Sequence, residues 1–413
     1  MHWKERKRTL KTLPATKKLI EQTIARRKGL LFTLPELVFR NTYTGRGILA
    51  DNKSVESPGA DFRGYVPVER WITSVTQAEN IHQIEGEGIS KVELPDGSTI
   101  RLDEIAEGFG ARVFGSYLPQ WPLVKILDIG GDETCADYLT VPEVPPIPVH
   151  VHGGKIVDGE VRYPGKLEAY FFPPTDIPPY NFSCKGIFTR LGLCPGVQKS
   201  DLLQAIGKFG TSDKIYSFLN TYPIAAYDSW IIPPGVVHAP GPFLTLEIQK
   251  PQDDFNLLGW QMGKRLSSEE SAAEYQSLCL RGLSDPQKLL DDVVDWELST
   301  LPDFRERFYS KARTLDEGPW GRRLSIFPSP FYGEFLEIGQ GHGWKSEATD
   351  CPRAFLVWSG NGTANEQPIS SGTGNCCEFI LLSGNDLHIR NDGEDMLLLF
   401  GLWPIDYHST ATA

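Results

Sequence analysis

The sequence predicts a mainly β protein with two jelly-roll β-barrel domains, helical insertions and a helical connector between the barrels. Short apolar and β-branched runs recur along the chain, and turn-forming Gly, Pro, Asn and Asp separate them, which is typical of antiparallel strands. Between about residues 265 and 315 the apolar residues return at helical spacing instead. The chain has 413 residues, which is long for one domain and favours two or three.

Four segments follow from these changes of pattern. Residues 1–60 are predicted to form a basic N-terminal helix and an irregular segment, and residues 61–264 the first barrel with a short helical insert. Residues 265–322 are predicted to form the connector, and residues 323–413 the second barrel. Because the last segment has no pair of alternate histidines, we expect it to be a degenerate copy of the first barrel without a metal.

The N-terminal segment is strongly basic. Ten of the residues 1–28 are Lys or Arg, and two are Glu. This composition indicates either a targeting or polyanion-binding arm, or an amphipathic helix over about residues 15–28 that packs Leu19, Ile20 and Ile24 on an acidic body. We favour the helix, because targeting peptides are usually poor in acidic residues and rich in Ser.

Charge and composition exclude several classes of partner. The net charge of −12 argues against nucleic acid, whose phosphates require clustered Lys and Arg. No apolar run has the length of a membrane helix, and no signal-peptide core follows the N-terminus, so we expect no membrane partner. The seven cysteines are odd in number and scattered, which is typical of reduced thiols and favours a cytoplasmic protein.

The first part of the barrel segment alternates strand and turn signals. Residues 66–75 and 122–128 are predicted strands, and residues 92–102 a hairpin around a Pro-Asp-Gly turn. Asp103 is a candidate N-cap for a short helix over residues 102–109. These elements precede the motif that carries most of the functional information.

That motif consists of three histidines and a glutamate. Residues two apart on a strand point to the same side, so His150 and His152 can direct two imidazoles to one point. Lys166 and Glu168 share a face by the same rule, and His238 follows a Pro-Pro-Gly turn. Three imidazoles and one carboxylate suit one divalent ion such as zinc, and they are also compatible with manganese, iron or nickel.

The residues around this motif favour short antiparallel strands. The histidine pair ends the apolar run 147–152, and an Asp-Gly dipeptide at 158–159 predicts a hairpin turn. Further strands are predicted at 167–172, 229–232 and 243–249. Such strands build a jelly roll of the cupin kind, whose mouth would hold the metal and leave coordination positions for water or substrate.

Helical and second-barrel elements complete the prediction. Helices are predicted at 199–206, 267–281 and 286–296. We interpret the isolated His342 and His388 as structural, because no second ligand candidate accompanies them. Strands of the second barrel are predicted at 325–327, 335–338, 354–358, 378–382 and 396–400.

Several segments occur in the order of the motifs of one enzyme family. Each segment is followed here by the family motif that it resembles: Trp71–Ser74 (Trp-x-x-Ser), Trp121–Asp128 (Phe-Pro-Leu-Leu-x-Lys-Leu-Leu-Asp), His150–His152 (Gln-x-His), Lys166–Glu168 (Lys-Pro-Glu), Ile232–Ala239 (Ile-Pro-Ala-Gly-x-x-His-Ala) and Glu247–Gln249 (Glu-Ile-Gln). In this order they resemble the type I mannose-6-phosphate isomerases, which are zinc-dependent cupins. The resemblance spans about residues 65–260.

The resemblance implies an aldose–ketose isomerase that works through a cis-enediol. A metal would polarise a substrate oxygen while a base moves a proton between C1 and C2. The implied catalytic residues are Lys166, which would hydrogen-bond a substrate oxygen, and Glu247 as the base. The implied substrate-binding residues are Lys125 near a phosphate and Ser74. Lys264 or Arg265 is a candidate to replace the charge of an Arg that the family has and this chain lacks.

Two departures from the family pattern concern the ligands and the substrate. His150 stands where the family has a Gln ligand, and Asn256 stands near the place of a catalytic Arg. Asp253 and Asp254 precede it and would repel a phosphate if they faced the cavity, whereas Arg265 is a cation that follows it.

The expected partner is therefore a small sugar or sugar phosphate, and the sequence allows a homo-oligomer. One alternative is an isomerase of an unphosphorylated sugar, which fits the missing Arg. A non-catalytic sugar-binding cupin is another. A cupin oxygenase, in which the same ligands hold iron, is disfavoured by the Lys-x-Glu and Glu-Ile-Gln motifs.

Overall fold

A computed structural model describes most of the chain. The described residues are 14–40, 42–43, 45, 48–49, 66–80, 83–129, 147–157, 160–175, 188–209, 211–212, 214–241, 243–259, 269, 272–273, 275–280, 285–372 and 374–407. Their α-helices are α1 (Pro14–Arg26), α2 (Leu102–Val113), α3 (Lys199–Ile206), α4 (Pro286–Val293), α5 (Trp296–Ser299) and α6 (Phe304–Phe308). Short 3₁₀ turns lie at Leu118–Gln120 and Lys214–Phe218, and a π-helical turn lies at Tyr275–Leu280. None of these described helices combines the length and the apolar character needed to cross a membrane.

The described strands follow helix α1 and extend from Leu30 to Leu402. Those that precede the connector are β1 (Leu30–Phe32), β2 (Glu36–Arg40), β3 (Val66–Ile72), β4 (Lys91–Glu93), β5 (Thr99–Arg101), β6 (Leu123–Asp128), β7 (His150–Val151), β8 (Gly154–Val157), β9 (Glu160–Pro164), β10 (Glu168–Phe171), β11 (Phe188–Leu193), β12 (Leu219–Pro223), β13 (Asp228–Ile232), β14 (His238–Ala239), β15 (Leu244–Gln249) and β16 (Asn256–Leu257). Those that follow are β17 (Tyr309–Lys311), β18 (Arg313–Gly318), β19 (Gly321–Ser325), β20 (Gly333–Ile338), β21 (Gly343–Ser346), β22 (Arg353–Ser359), β23 (Asn361–Ala364), β24 (Gln367–Ser370), β25 (Glu378–Leu381), β26 (Leu387–Asn391) and β27 (Leu397–Leu402).

These strands form two double-sheet β domains, so the predicted mainly β fold class is confirmed. The first domain pairs a seven-stranded sheet, β17-β13-β10-β15-β6-β3-β2, with a five-stranded sheet, β12-β11-β14-β7-β16. The second pairs a seven-stranded sheet, β1-β25-β22-β27-β20-β19-β18, with a four-stranded sheet, β21-β26-β23-β24. The β4–β5 pair is the predicted hairpin around the Pro-Asp-Gly turn, and β8 pairs with β9, while the Asp-Gly turn predicted between them lies outside the described residues.

The two domains share one strand topology. In the first, β10 lies between β13 and β15, and β6 joins β15 to β3. In the second, β22 lies between β25 and β27, and β20 joins β27 to β19. The smaller sheets match as well, because β14 lies between β7 and β11 as β26 lies between β21 and β23. The C-terminal domain therefore repeats the strand order of the domain that carries the three histidines.

Each barrel completes its large sheet with a strand from a distant part of the chain. Strand β1 pairs with β25 of the second barrel, although it lies in the segment predicted to be irregular. Strand β17 pairs with β13 of the first barrel, although it lies within residues 265–322, the predicted connector. The domain boundaries themselves stay predictions.

The large sheets of the two barrels pack against each other across an aromatic core. Phe171 on β10 lies 6.0 Å from Phe335 and 5.8 Å from Phe400, measured between ring centroids. Across the same interface, Arg70 on β3 donates to the carboxylate of Glu378 on β25 at 2.9 Å. Strand β10 thus has one face fixed by the second barrel, which leaves its other face for the interior of the first.

Helix α1 has the packing that its sequence predicts. Ile20 and Ile24 are 0% and 2% exposed and join the core, and Leu19 packs against it. The predicted amphipathic helix is confirmed by these contacts, and it is followed directly by β1.

Candidate metal centre

Three histidines meet inside the first barrel. His150 and His238 begin neighbouring strands and face each other in register, with ring centroids 4.1 Å apart. The ring of His152 lies 4.9 Å from that of His150 and 5.0 Å from that of His238. All three are buried, and one nitrogen of each lies within 4.8 Å of the others. The structure therefore brings together the three predicted imidazoles.

Close backbone approach fixes the position of His152. A Cβ atom added at Gly165 would lie 2.0 Å from the carbonyl oxygen of His152, so only glycine fits there. The chain therefore passes directly over His152 before it reaches Lys166 and Glu168, which places the lysine and the carboxylate beside the histidines.

Glu168 is the fourth predicted ligand, and it is fully buried among them. Its Oε1 atom lies 3.1 Å from Nε2 of His238, and its Oε2 atom lies 3.3 Å from Nε2 of His152. The hydroxyl of Tyr170, two residues along β10 on the same face, donates to Oε1 of Glu168. This bond orients the carboxylate toward the histidines.

Backbone carbonyls select the tautomers of two histidines. Nδ1 of His150 lies 2.7 Å from the carbonyl oxygen of Pro148, and Nδ1 of His238 lies 2.8 Å from that of Val236. Each Nδ1 donates its proton to the carbonyl, so each neutral ring presents the lone pair of Nε2. This is the outer contact that commonly orients a histidine bound to a metal.

The protonation states also suit a cation. Burial lowers the pKa of His150 and His152 well below the usual value, and the charge of Lys166 adds to the effect at His152. Burial alone would raise the pKa of Glu168, but Lys166 and the histidines bring it well below the usual value. These shifts favour neutral imidazoles at His150 and His152 and a carboxylate at Glu168, the forms that bind metals.

Buried atoms of the cluster that lack hydrogen-bond partners indicate whether the cluster fits a metal ion. Nε2 of His238 is buried without a hydrogen-bond partner, although it lies 3.1 Å from Oε1 of Glu168. Electron-pair donors about 3 Å apart repel each other unless a cation lies between them. Ligands about 2.1 Å from a tetrahedral ion are about 3.4 Å apart, close to the spacing seen here. The residues present therefore fit a divalent metal ion.

Two residues of the cluster, His150 and His152, line a pocket with a highly charged wall. The described lining residues are Arg40, Thr42, Tyr43, Glu69, Lys125, Leu127, Ile147, His150, His152, Lys166, Tyr170, Glu247, Asp253, Phe255 and Leu257. The structure thus places Lys125, Lys166 and Glu247, three of the sequence candidates, in one cavity with the histidines.

Glu247 lies between the two lysines of the pocket. Its Oε1 atom is 3.6 Å from Nζ of Lys125 and 3.6 Å from Nζ of Lys166, and it has no hydrogen-bond partner. Burial raises the pKa of Glu247, and the charge of Glu168 adds to the rise while the lysines oppose it. Lys166 also lies 3.1 Å from Oε2 of Glu168, so it joins the candidate base to the metal ligands.

Sequence reasoning missed the role of Arg40 and Glu69 in the opposite wall. Arg40, the last residue of β2, donates to both carboxylate oxygens of Glu69 and to Asp253 at 2.9 Å. Lys125 lies 3.3 Å from Asp253 and 3.8 Å from Glu69. The pKa of Glu69 and of Asp253 is lowered to about 2, because these cations outweigh the effect of burial. The sequence signal that was available for Arg40 is its position at the end of an apolar strand.

The remaining candidates lie elsewhere. Ser74 is buried outside the pocket lining, where its hydroxyl oxygen accepts from the backbone of Thr76 at 3.0 Å. Arg265 lies outside the described residues. Asn256 pairs with Val151 and does not line the pocket, whereas Asp253 does, with its charge balanced by Arg40 and Lys125. A cation beside Asp253 is therefore supplied by Arg40 of β2.

Comparisons with known proteins agree with this architecture. No protein-family model and no curated protein sequence matches the chain. Solved structures do match: the mannose 6-phosphate isomerase from Bacillus subtilis aligns with a TM-score of 0.58, at 17% identity, over 90% of this chain and 99% of that one. The chain has the mannose-6-phosphate isomerase fold.

Two further structures extend the likeness. A candidate mannosephosphate isomerase from Archaeoglobus fulgidus aligns with a TM-score of 0.57 and 12% identity, over 91% of this chain and 98% of that one. A variant phosphomannose isomerase from Salmonella typhimurium gives 0.54 and 11%, over 91% and 100%. The resemblance found in the sequence motifs is thus confirmed for the fold along most of the chain.

Proposed function

We propose that this protein is a metal-dependent aldose–ketose isomerase that acts on a small sugar or sugar phosphate. The observation that carries the proposal is a single pocket lined by His150 and His152 of the buried histidine cluster and by Glu247, a carboxyl group with an oxygen that has no hydrogen-bond partner. The mannose-6-phosphate isomerase fold supports the same class of reaction. Zinc is the metal that we propose first, with manganese, iron and nickel as alternatives.

The ligands of the proposed metal are His150, His152, Glu168 and His238. When bound, the metal supplies Lewis acidity to a substrate oxygen. The protein's part is to hold four donors of net charge −1 in a buried pocket, so a divalent ion keeps net positive charge.

Glu247 is the proposed base. It takes a proton from C2 of the aldose and returns it to C1, while the hydroxyl proton of O2 passes to O1. The reaction therefore proceeds through a cis-enediol. A raised pKa suits a carboxyl group that must both accept and release a proton near neutral pH. Lys166, which lies 3.6 Å from Glu247, donates a hydrogen bond to a substrate oxygen and stabilises negative charge as the enediol forms.

The pairing of the pocket cations favours an unphosphorylated sugar as a second candidate substrate. Among the described lining residues, the basic side chains are Arg40, Lys125 and Lys166. Each lies within 4.0 Å of at least two carboxylates. A phosphate would have to compete with those carboxylates, whereas a neutral sugar needs only hydrogen bonds.

The test combines metal analysis with assays of mannose 6-phosphate, mannose, lyxose and fructose. We expect one bound divalent ion and turnover of at least one sugar, with deuterium from heavy water incorporated at the transferred position. Glu247→Gln should lower kcat at least about 100-fold and keep the metal, because it removes the base. Glu317→Gln, an exposed glutamate of the second barrel, is the matched control and should keep full activity.

Other outcomes decide between the alternatives. Metal without turnover of any sugar would support a non-catalytic sugar-binding cupin, and bound iron with oxygen consumption would support an oxygenase. A purified protein that binds no transition metal would overturn the proposal. The homo-oligomer and the cytoplasmic location stay predictions.

The substrate is tested further at Lys125. If this residue binds a phosphate, Lys125→Gln raises KM for mannose 6-phosphate and leaves KM for mannose unchanged. An equal effect on both sugars would support the unphosphorylated substrate.

A further inference from the structure

The second barrel carries its own group of buried charged residues. Arg353 is 2% exposed and Glu334 is 3% exposed. Arg323, whose side chain is 30% exposed, donates to Glu334 at 3.2 Å, so the group reaches the surface on one side. It lies outside the metal pocket and has no part in the proposed isomerase.

Strand register relates Arg353 to a metal ligand of the first barrel. Glu168 begins β10 and pairs with Ile232, the last residue of β13. Arg353 begins β22 and pairs with Leu381, the last residue of β25. Because β22 and β10 have the same neighbours in the two sheets, Arg353 occupies the position of Glu168 with the opposite charge.

The same comparison locates Glu334. In the first barrel, Glu247 pairs with Lys125 on one side and with Tyr170 on the other. In the second, Gly401 pairs with Glu334 and with Phe355. Glu334 therefore takes the place of Lys125, and Gly401 the place of the candidate base.

Arg323 completes the comparison. It pairs with Leu336, two residues after Glu334. Glu69 pairs with Leu127, two residues after Lys125. Three charged positions of the metal pocket thus recur in the second barrel, each with its sign reversed.

The buried atoms without hydrogen-bond partners also differ between the two barrels, with acceptors in the first and donors in the second. In the metal cluster and its pocket they include lone-pair acceptors, Nε2 of His238 and Oε1 of Glu247. Around Arg353 they are donors: Nε and Nη2 of Arg353, Nε of Arg323 and Nε1 of Trp403 are all buried without a hydrogen-bond partner. Unpartnered buried donors call for an acceptor.

The Arg353 side chain is held so that one edge of its guanidinium group has no hydrogen-bond partner. Its Nη1 atom donates to the hydroxyl of Ser346 at 2.7 Å. Its guanidinium carbon lies 5.5 Å from the ring of Trp403 and 5.8 Å from that of Phe355. The remaining Nε and Nη2 atoms form the edge that grips carboxylate and phosphate groups with two parallel hydrogen bonds.

We propose that the second barrel binds a small oxyanion, a carboxylate or phosphate group, on the free edge of Arg353. The two arginines outnumber Glu334, so the group has a net positive charge that an anion balances. Nε of Arg323 and Nε1 of Trp403 supply further donors in the same region. The repeated fold thus presents a metal site in one barrel and an anion site in the other.

The experiment titrates the full-length protein with sodium phosphate and, separately, sodium acetate, against sodium chloride at matched ionic strength. Calorimetry and thermal unfolding are the readouts. We expect saturable binding of at least one oxyanion and a rise in Tm that chloride does not reproduce. Absence of binding by both anions at 20 mM would overturn the proposal.

Two variants locate the binding. Arg353→Lys keeps the charge but removes the two-donor edge, and it should weaken binding at least about tenfold. Arg323→Gln changes a partly exposed residue and should weaken binding several-fold, which keeps the proposal testable if the Arg353 variant does not fold. Lys311→Gln, at an exposed lysine of β17 in the first barrel, is the control and should bind as the wild type does. Lys125→Gln tests the first pocket separately. Binding that is lost in Lys125→Gln and kept in both arginine variants would place the anion in the first pocket and contradict the proposal.

Discussion

Nε2 of His238 lies 3.1 Å from Oε1 of Glu168, although Nδ1 of the same ring donates its proton to the carbonyl of Val236. A neutral histidine in this tautomer directs a lone pair at a carboxylate. The two atoms are compatible at this distance when they share a cation, so the contact is the most direct sign of a metal centre.

Removal of one imidazole should release the metal. We expect His238→Ala to bind zinc at least about tenfold more weakly than the wild type, because the site keeps only two imidazoles and a carboxylate. Elemental analysis after dialysis against a weak chelator measures the loss. His388→Ala, at an exposed histidine of the second barrel, is the control and should retain the metal content of the wild type. Equal metal content in both variants would contradict the assignment.

The hydroxyl of Tyr170 should raise the affinity of the site for the metal without binding the metal itself. The pKa of Tyr170 is raised well above its usual value by burial and by Glu168, so its hydroxyl stays protonated and donates to that carboxylate. Tyr170→Phe should weaken zinc binding about 10- to 100-fold, the usual effect of losing an outer contact to a ligand. Competition with a fluorescent chelator gives the affinity. Tyr309→Phe, which loses a hydroxyl that donates to Asp228, should leave the affinity unchanged.

The Arg40 network predicts how stability depends on pH. The folded pKa of Asp253 is about 2, against an ordinary value of 3.8, because Arg40 and Lys125 outweigh burial. A lowered pKa stabilises the fold above the unfolded value of about 4, and this stabilisation is lost as the pH falls toward 2. For Asp253 the effect is about 2 kcal/mol in the free energy of unfolding.

Urea unfolding between pH 5 and pH 3 measures this effect. Asp253→Asn should lose stability less steeply with acid than the wild type over that range, because one titrating group is gone. Asp316→Asn, an exposed aspartate, should follow the wild-type slope. Parallel slopes for Asp253→Asn and the wild type would show that Asp253 titrates normally.

The contact between the barrels should be strongly stabilising. Arg70 donates to Glu378 at 2.9 Å and to the carbonyl of Gly372 at 2.7 Å, and Glu378 is fully buried. Arg70→Leu should cost about 3–5 kcal/mol in the free energy of unfolding, because it leaves a buried charge without its partner.

A double variant separates the charge from the packing. Arg70→Leu with Glu378→Gln should recover part of the loss, since the uncompensated charge is gone. Arg307→Ala, which removes an exposed pair with Asp303, should change stability very little. A double variant as unstable as Arg70→Leu would show that shape, and not charge, accounts for the effect.

Much of the metal centre could be predicted from local sequence. The placement of His150 with His152 and of Lys166 with Glu168 was predicted from the two-residue repeat of β structure, although strand β7 ends at Val151 and β10 begins at Glu168. His238 follows a Pro-Pro-Gly turn that places it at the start of a strand. The structure brings all four predicted ligands together, with pairwise contacts of 3.1 and 3.3 Å to Glu168.

The pocket wall could not be predicted in the same way. Arg40 and Asp253 are 213 residues apart, and only the order β15-β6-β3-β2 of the large sheet brings the end of β2 near the segment that follows β15. For the same reason, Ser74 resembled a family motif but lies outside the pocket, since its local motif does not reveal which way the chain turns after β3.

The sequence by itself determined the mainly β class, the positions of many of the strands and turns, and the chemistry of the ligands, because these depend on neighbours within a few residues. The tertiary structure decided which barrel each outer strand completes, with β1 in the second and β17 in the first. It also decided the charge states, from the lowered pKa of Glu168 to the raised pKa of Glu247. Burial and long-range pairing set these properties, and both arise only when residues distant in the chain are packed together.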